Sequence, residues 1–191
     1  MNRTLVLGLA LAAALPVLQA CAPIAVGAAA GGALVMAGDR RTTGIYIEDE
    51  NIEWKSLARI REVAPSAHVN ATSYNRKVLL TGEAHSEAEK KRIEDAIRAV
   101  ASVLDVTNEV QVAGTSSMAA RGNDSLITSN VKVRMVNNGK FSPNHVKVVT
   151  EAGTVYLMGM VSQAEGDAAA DIARNTSGVT RVVKVFEYIK K

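Results

Sequence analysis

The amino-acid sequence predicts an α+β fold made of two tandem αββαβ units, in each of which two helices cover one face of a three-stranded sheet. The first observation is an internal repeat, because residues 68–82 recur as residues 145–159, 77 positions later. The second is a shared helix start, because residues 86–89 match residues 162–165. The third is a pair of short Val- and Leu-rich segments in each copy, which is typical of a β-hairpin. A chain of 191 residues has room for two such small domains.

Each copy begins with a predicted helix. Asp49 and Asp124 are the predicted N-caps, since a carboxylate accepts free backbone N–H groups and favours the positive end of the helix dipole. Buried positions are then expected at four-residue steps, with a serine as the weak member of the first set. These positions are Ile52, Ser56 and Ile60 in the first helix, and Ile127, Val131 and Met135 in the second.

A hairpin, a second helix and a last strand follow in each copy. The turns are expected at Asn75-Arg76 and at Glu151-Ala152-Gly153. Ser86 with Glu89, and Ser162 with Glu165, predict a capping box at the start of each second helix. The predicted strands are, in chain order, 69–74, 77–82, 106–112, 146–150, 154–161 and 182–189.

The N-terminal region predicts export and a lipid anchor. Residues 1–20 combine Arg3 with an apolar stretch and small residues, which is typical of a secretory signal peptide. Leu18-Gln19-Ala20-Cys21 resembles a bacterial lipobox, so Cys21, the only cysteine, is the predicted site of lipidation. The alternative is a plain signal peptide that leaves a free thiol, a liability in an oxidising compartment. By similarity to enterobacterial sorting, Ala22 in place of aspartate indicates the outer membrane.

The predicted domain boundaries follow changes in composition. Residues 21–47 are expected to form a lipidated flexible tether, since residues 22–38 are rich in Ala and Gly. A membrane helix with small residues on a dimerisation face is the alternative for this segment. The two domains are then 48–113 and 123–191, joined by a Gly-, Ser- and Ala-rich linker at 114–122.

Charge excludes one class of function and separates the two copies. The net charge of +3 is small against the basic patches that nucleic-acid binding requires. Residues 39–114 carry 11 basic and 13 acidic side chains, whereas residues 115–191 carry 10 basic and 6 acidic ones. The second copy is therefore the one suited to an anionic surface, although an ordinary solvated helix face would also explain its basic residues.

Helical spacing indicates where such a surface would lie. Leu126 and Val133 are seven residues apart, on a stripe beside the predicted core positions. Apolar residues flanked by Lys and Arg suit insertion among lipid headgroups, but these two could equally pack against the first copy. The predicted lipid-binding residues are Leu126, Ile127, Asn130, Lys132, Val133, Arg134 and Lys140.

Three short motifs resemble those of the BON domain. Val78-Leu79-Leu80-Thr81-Gly82 and Val155-Tyr156-Leu157-Met158-Gly159 end the second strands, and Gly178-Val179-Thr180-Arg181-Val182 leads into the last strand. Ser102 stands where this family has glycine. Two such domains behind a lipobox resemble the dual-BON outer-membrane lipoproteins, as does the segment from Asp39 to Gly44.

This resemblance implies a function without catalysis. The protein would be anchored to the outer membrane on its periplasmic face, bind anionic phospholipids such as phosphatidylglycerol and cardiolipin, and support envelope integrity at the division site. The competing hypothesis is a protein-binding adaptor that docks envelope assembly machinery, with lipid contact incidental.

The sequence predicts no catalytic residue, no cofactor and no metal site. It contains no phosphate-binding Gly-Lys-Ser/Thr loop, no dinucleotide-binding glycine motif and no nucleophile elbow. His68 and His145 each precede a strand, where a capping or edge role is expected, and His85 has no acidic or cysteine partner nearby in the sequence. Trp54, the only tryptophan, is expected to pack between the two domains.

Overall fold

The computed structural model describes residues 38–190, in which two sheets are each packed with two helices. The predicted signal peptide, the predicted lipidation site Cys21 and most of the predicted tether lie outside these residues. The first domain comprises α1 (Thr43–Val63), β1 (His68–Tyr74), β2 (Lys77–Ala84), α2 (Glu87–Arg98), β3 (Asp105–Asn108) and β4 (Gln111–Val112). The second comprises α3 (Met118–Val136), a 3₁₀ turn (Pro143–His145), β5 (Lys147–Glu151), β6 (Thr154–Val161), α4 (Gln163–Arg174) and β7 (Arg181–Tyr188). The predicted α+β fold with two αββαβ units is confirmed.

The central strand of each sheet pairs in opposite senses with its two neighbours. In the first sheet, β2 is antiparallel to β1 and parallel to β3 and β4. The strands β3 and β4 keep one register against β2, so they are two parts of a single edge strand. In the second sheet, β6 is antiparallel to β5 and parallel to β7. None of the helices within residues 38–190 is long and apolar enough to cross a bilayer.

The first helix of each domain begins earlier than predicted. The hydroxyl of Thr42 caps α1 by accepting from the Ile45 N–H, and that of Ser117 caps α3 by accepting from the Ala120 N–H. The predicted tether therefore ends before residue 43, and the predicted linker ends before residue 118. The prediction that Asp49 and Asp124 are N-caps is wrong, because both lie inside their helices and are buried.

These two carboxylates instead hold the turn of each hairpin. Asp49 accepts from the backbone N–H groups of Asn75 and Arg76, at 2.8 and 2.7 Å. Asp124 accepts from those of Ala152 and Gly153, at 2.9 Å each. All four turn residues have positive φ, a backbone conformation that is unfavourable for residues other than glycine. The carboxylate therefore stabilises a strained turn and fixes the helix against its hairpin.

Each domain has its own core between the helices and one face of the sheet. The predicted helix positions are all buried there, including Ser56, which is fully buried. The first core joins these side chains to others of β1, β2 and α2, and the second joins them to side chains of β5, β6 and α4.

The other face of each sheet packs against the other domain. Tyr74 and Leu79 of the first sheet form one buried cluster with Tyr156 and Met158 of the second. The central strands are consequently buried on both faces, apart from their ends. The two domains thus share a third apolar core, which holds residues 38–190 together as one unit.

The capping box is complete in only one of the second helices. Ser162 and Glu165 cap α4 reciprocally, as predicted. In α2 the Ser86 hydroxyl accepts from the Glu89 N–H, but the Glu89 carboxylate accepts from the backbone N–H of His85, at 2.7 Å. The His85 ring also lies 3.0 Å from this carboxylate, so the expectation that His85 has no acidic partner is wrong.

The glycine at the end of each central-strand motif is required by close packing of the backbone. A Cβ at Gly82 would overlap with the carbonyl oxygen of His68, and one at Gly159 with that of His145. Backbone atoms of a neighbouring strand cannot move aside as a flexible side chain can. This contact explains the glycine in both repeats.

We predict opposite effects for two glycine substitutions in the second domain. Gly159→Ala should lower the free energy of unfolding by about 3 kcal/mol or more, through overlap with the backbone. Gly122→Ala, at an open position inside α3, should raise it by up to about 1 kcal/mol, because alanine favours the helix. Urea unfolding of both variants measures the two values, and a Gly159→Ala variant as stable as the wild type would contradict the proposed overlap.

Candidate functional site

The outward side of α3 carries a stripe of exposed apolar side chains. Leu126 and Val133 are 65% and 58% exposed, and Met118 and Val136 extend the stripe with 78% and 63% exposure. The four lie at spacings of three, seven and eight residues, which returns them to one side of a helix. The opposite side, with Val131 and its neighbours, is buried in the domain core. This stripe, Met118, Leu126, Val133 and Val136, is called the apolar stripe below.

Basic side chains flank the apolar stripe without acidic partners. Lys132, Arg134 and Lys140 are exposed, and none of them forms an ion pair with a residue between 38 and 190. Other basic side chains of the second domain do have such partners. These pairs are Lys147 with Glu53, Lys184 with Asp167 and Arg181 with Glu109. The uncompensated positive charge of the domain is therefore concentrated around α3.

The structure places six of the seven predicted lipid-binding residues on two sides of α3, and Lys140 just beyond the end of the helix. Six of the seven are exposed, and neither Leu126 nor Val133 packs against the first domain. Ile127 is the exception and its assignment is wrong, because it is 2% exposed and its side chain points into the core toward Gly178. Ile127 shares the buried side of the helix with Val131, as its four-residue spacing already indicated.

Sequence reasoning missed the two ends of the apolar stripe. Val136 follows Val133 by three residues, a spacing that could have found it. Met118 lies in the predicted linker, and only the Ser117 cap shows that it belongs to the first turn of α3.

The outward side of α1 also carries apolar side chains. Trp54 is 73% exposed and Ile47, seven residues earlier, is 55% exposed. The prediction that Trp54 packs between the domains is wrong, because the domains meet through their sheets and leave both first helices on the outside.

Two arginines before α1 tie the segment that precedes it to both domains. Arg40 donates to both oxygens of Glu165 in α4, at 2.8 and 2.9 Å, and to the Met160 carbonyl of β6 at 2.7 Å. Arg41 pairs with Asp39 and Asp49 and stacks over the Tyr74 ring, 4.0 Å from its centroid. The point at which the chain enters α1 is therefore fixed on both domains.

The pKa values around these arginines follow from the ion pairs. The hydrogen bonds from Arg40, with those from Ser162, hold the pKa of Glu165 well below its usual range. Burial alone would lower the pKa of the Arg41 guanidinium, but its hydrogen bonds to Asp39 and Asp49 outweigh burial and raise the pKa. The Glu165 carboxylate and the Arg41 guanidinium are thus ionised across the physiological range.

A polar cavity lies where the two domains meet. It has a volume of about 310 Å³, and its lining includes His68 and Asn70 of β1 together with Asp124 and Glu151 of the second domain. The Nδ1 atom of His68 lies 2.9 Å from Oε2 of Glu83. Burial raises the pKa of the Glu151 carboxyl, an effect that His68 opposes and Glu83 reinforces.

Comparison with known proteins decides the family. The family model for the BON domain matches residues 48–114 and again residues 123–190. The chain belongs to the BON-domain family. Its two domains are the first and second BON domains, and the shared glycine contacts at Gly82 and Gly159 are the structural basis of their common motif.

Several known proteins are similar to this chain over most of its length. Outer membrane lipoprotein DolP of Haemophilus influenzae is 39% identical over 175 residues, which cover 90% of each chain. The 21 kDa hemolysin of Actinobacillus pleuropneumoniae is 32% identical over 80% of each chain. Osmotically-inducible protein Y of Escherichia coli is 28% identical over 73% of this chain and 72% of that protein. The chain is thus a dual-BON protein similar to DolP, and this similarity supports an outer-membrane location.

We predict that Arg40 links the first BON domain to the second in a pH-dependent way. Because folding depresses the pKa of Glu165, the contribution of this pair to stability is complete above the unfolded-state pKa of about 4.3. It is lost as the pH falls from there toward the folded-state pKa. Arg40→Ala should lower the free energy of unfolding by about 2 kcal/mol at pH 7, and by less at pH 3.

Urea unfolding at the two pH values measures this difference. Arg174→Ala is the matched control, since its pair with Asp171 is exposed and should contribute less than about 0.5 kcal/mol at either pH. If Arg40→Ala lowered the free energy of unfolding equally at pH 7 and pH 3, the assigned role of Glu165 would be contradicted.

Proposed function

We propose that this protein is an outer-membrane lipoprotein, acylated at Cys21 and exposed on the periplasmic face, whose second BON domain binds anionic phospholipid. Through this binding it would support envelope integrity at the division site, without catalysis. Phosphatidylglycerol and cardiolipin are the expected ligands, because their headgroups match the positive charge around α3.

One observation carries the proposal: α3 presents the apolar stripe beside basic side chains that have no acidic partner among residues 38–190. Apolar groups at the level of the headgroups leave water, and each basic residue near an anionic membrane contributes about 1 kcal/mol. A solvated helix face would need neither exposed valines nor an exposed leucine. The combination is typical of a helix that lies in the membrane interface.

The surface of α3 alone would give weak and reversible binding. Lys132, Arg134 and Lys140 together would contribute about 3 kcal/mol, which alone corresponds to dissociation in the millimolar range. A lipid anchor on Cys21 would raise the effective concentration of the domain at the membrane, so that weak contacts become useful. A lipid anchor combined with a basic surface is one of the pairs of signals that give stable membrane binding.

A second candidate function is protein docking. Trp54 and Ile47 on α1 form a second exposed apolar surface, and exposed tryptophan is enriched where proteins bind one another. On this hypothesis the protein is an adaptor for envelope assembly machinery, and its lipid contact is incidental.

Vesicle co-sedimentation tests the two candidates. The non-acylated chain from Ala22 onward is mixed with vesicles of phosphatidylglycerol and cardiolipin or of phosphatidylcholine, at low and high salt. Salt-sensitive binding to the anionic vesicles alone supports lipid binding by the domain itself. Absence of binding to both would overturn it and favour the adaptor.

We predict that Leu126→Glu weakens binding to anionic vesicles by about tenfold or more. The substitution replaces an apolar contact with a charge that the membrane repels. Since Leu126 is 65% exposed, the free energy of unfolding should change by less than about 0.5 kcal/mol.

Leu104→Glu is the matched control for this substitution. Leu104 is 60% exposed, but it lies in the first BON domain and outside α3. Equal loss of binding in the two variants would contradict a specific role for the apolar stripe.

We predict a similar asymmetry for the basic residues. Reversing Lys132 and Arg134 together to glutamate should weaken vesicle binding by at least about 30-fold at low salt, and by much less at high salt. The control reverses Lys55 and Arg61, two exposed residues of α1 without ion pairs among residues 38–190. Loss of binding in the control alone would place the lipid surface on the first BON domain.

A further inference from the structure

Three side chains of the kind that bind metal ions meet where the two BON domains join. His68 is the first residue of β1, and Glu83 lies directly opposite it on β2. Glu151 is the last residue of β5, in the other domain. One ligand atom of each side chain lies within 4.8 Å of the other two. The sequence could not predict this cluster, because its members are far apart in the chain and come from both domains.

The cluster concentrates negative charge in a buried place. Glu83 is 7% exposed and Glu151 is 9% exposed. Neither forms an ion pair with a lysine or arginine among residues 38–190, and the His68 imidazole is within ion-pair distance of Glu83 alone. Two carboxylates buried so close together are unfavourable unless a cation compensates for them.

The other charged side chains of the cavity are engaged elsewhere. The guanidinium of Arg121 donates to the hydroxyl and carbonyl oxygens of Ser116, and the Asp124 carboxylate accepts from the turn N–H groups. Glu151 itself has only a long hydrogen bond, 3.4 Å, from the Asn70 amide. Its carboxylate is therefore the buried group in this cavity that is least satisfied by the protein.

We propose that His68, Glu83 and Glu151 bind one Zn²⁺ ion that bridges the two BON domains. An imidazole nitrogen with two carboxylate oxygens is a donor set that Zn²⁺ accepts, and three protein ligands leave a fourth position for water. Calcium and magnesium prefer sites made of oxygen alone, and they need more ligands than this cluster offers.

The geometry requires only a small adjustment. Ligand bonds of about 2.0–2.1 Å place neighbouring ligand atoms of a tetrahedral site about 3.3 Å apart. His68 and Glu83 already meet at 2.9 Å, and all three ligand atoms lie within 4.8 Å of one another, so the Glu151 oxygen needs to approach each of the others by at most about 1.5 Å. The adjacent cavity of about 310 Å³ has room for the water ligand and gives the ion a path of entry.

Such an ion would act as a clamp between the domains. Two ligands come from the first BON domain and the third from the second, so the site is complete only when the sheets are packed together. Binding to the folded state alone raises stability in proportion to the logarithm of the metal concentration. This role is separate from lipid binding on α3, and the two can fail independently.

The test compares the wild type with Glu151→Gln, in the whole protein purified in detergent without a histidine tag and treated with a chelator. Calorimetric titration with ZnCl₂ should show one site in the wild type, and at least about tenfold weaker binding in the variant. The same titration with CaCl₂ should show no comparable site. His85→Gln is the control, because His85 pairs with Glu89 alone, at a more exposed position, and lies outside the cluster.

Thermal unfolding gives a second readout, because the difference in unfolding temperature between wild type and Glu151→Gln should change sign when Zn²⁺ is added. Without metal, Glu151→Gln should unfold at the same temperature as the wild type or higher, because glutamine removes the repulsion between the two carboxylates while keeping a partner for Asn70. With excess Zn²⁺, the wild type should become the more stable of the two.

Three outcomes would overturn the proposal. They are no Zn²⁺ binding by the wild type, equal binding by wild type and Glu151→Gln, and loss of binding in His85→Gln alone.

Cobalt substitution keeps the test decisive if the unfolding temperatures of the two proteins are close, since tetrahedral Co²⁺ absorbs strongly in the visible range. This band should appear in the wild type and be lost in Glu151→Gln, and its persistence in the variant would exclude Glu151 as a ligand.

Discussion

The burial of the second face of each sheet is the interaction on which the rest of the structure depends. Tyr74 and Leu79 of the first sheet, with Tyr156 and Met158 of the second, are at most 4% exposed and pack as one cluster. A single domain of about seventy residues has a small free energy of unfolding, and in isolation it would expose this apolar face to water. Packing the sheets together removes both faces from water. It also fixes the orientation of each domain, because both central strands are then covered on two sides.

The two proposed sites are placed by this arrangement. The helices must lie on the outer sides of the sheets, so the outward side of α3 can carry Leu126 and Val133 without a core to bury them. At the margin of the same contact, the end of β5 approaches β1, which brings Glu151 beside His68. The cavity needs both domains, whereas the outward side of α3 is set by the core of its own domain, which buries the opposite side of the helix.

Most of the fold of each domain could be predicted from the sequence, but little of the contact between the two domains could. The repeat, the order of helices and strands along the chain, and the buried positions Ile127, Val131 and Met135 could be predicted, because periodicity and turn chemistry are local. The role of Asp124 could not, since an aspartate near a helix start is expected to be a cap, and only the folded hairpin shows that it holds the turn. The exposure of Trp54 was missed for a related reason. Large aromatic side chains are generally buried, and the choice between an outer helix and a domain interface is made by distant residues.

The inner and outer sides of α3 have different attachments, and this bears on how the two proposed sites influence each other. On its inner side, Asp124 and Thr128 are bonded to the hairpin that carries Glu151, the latter through the Thr150 hydroxyl at 2.7 Å. A movement of the hairpin would therefore carry α3 with it as a unit. Such a movement changes the position of the helix but not the residues that it exposes. A metal ion at Glu151 would therefore alter the stability of the domain pair and leave the apolar stripe exposed as before. A variant that lost both activities would indicate unfolding of the second BON domain and not a defect at either site.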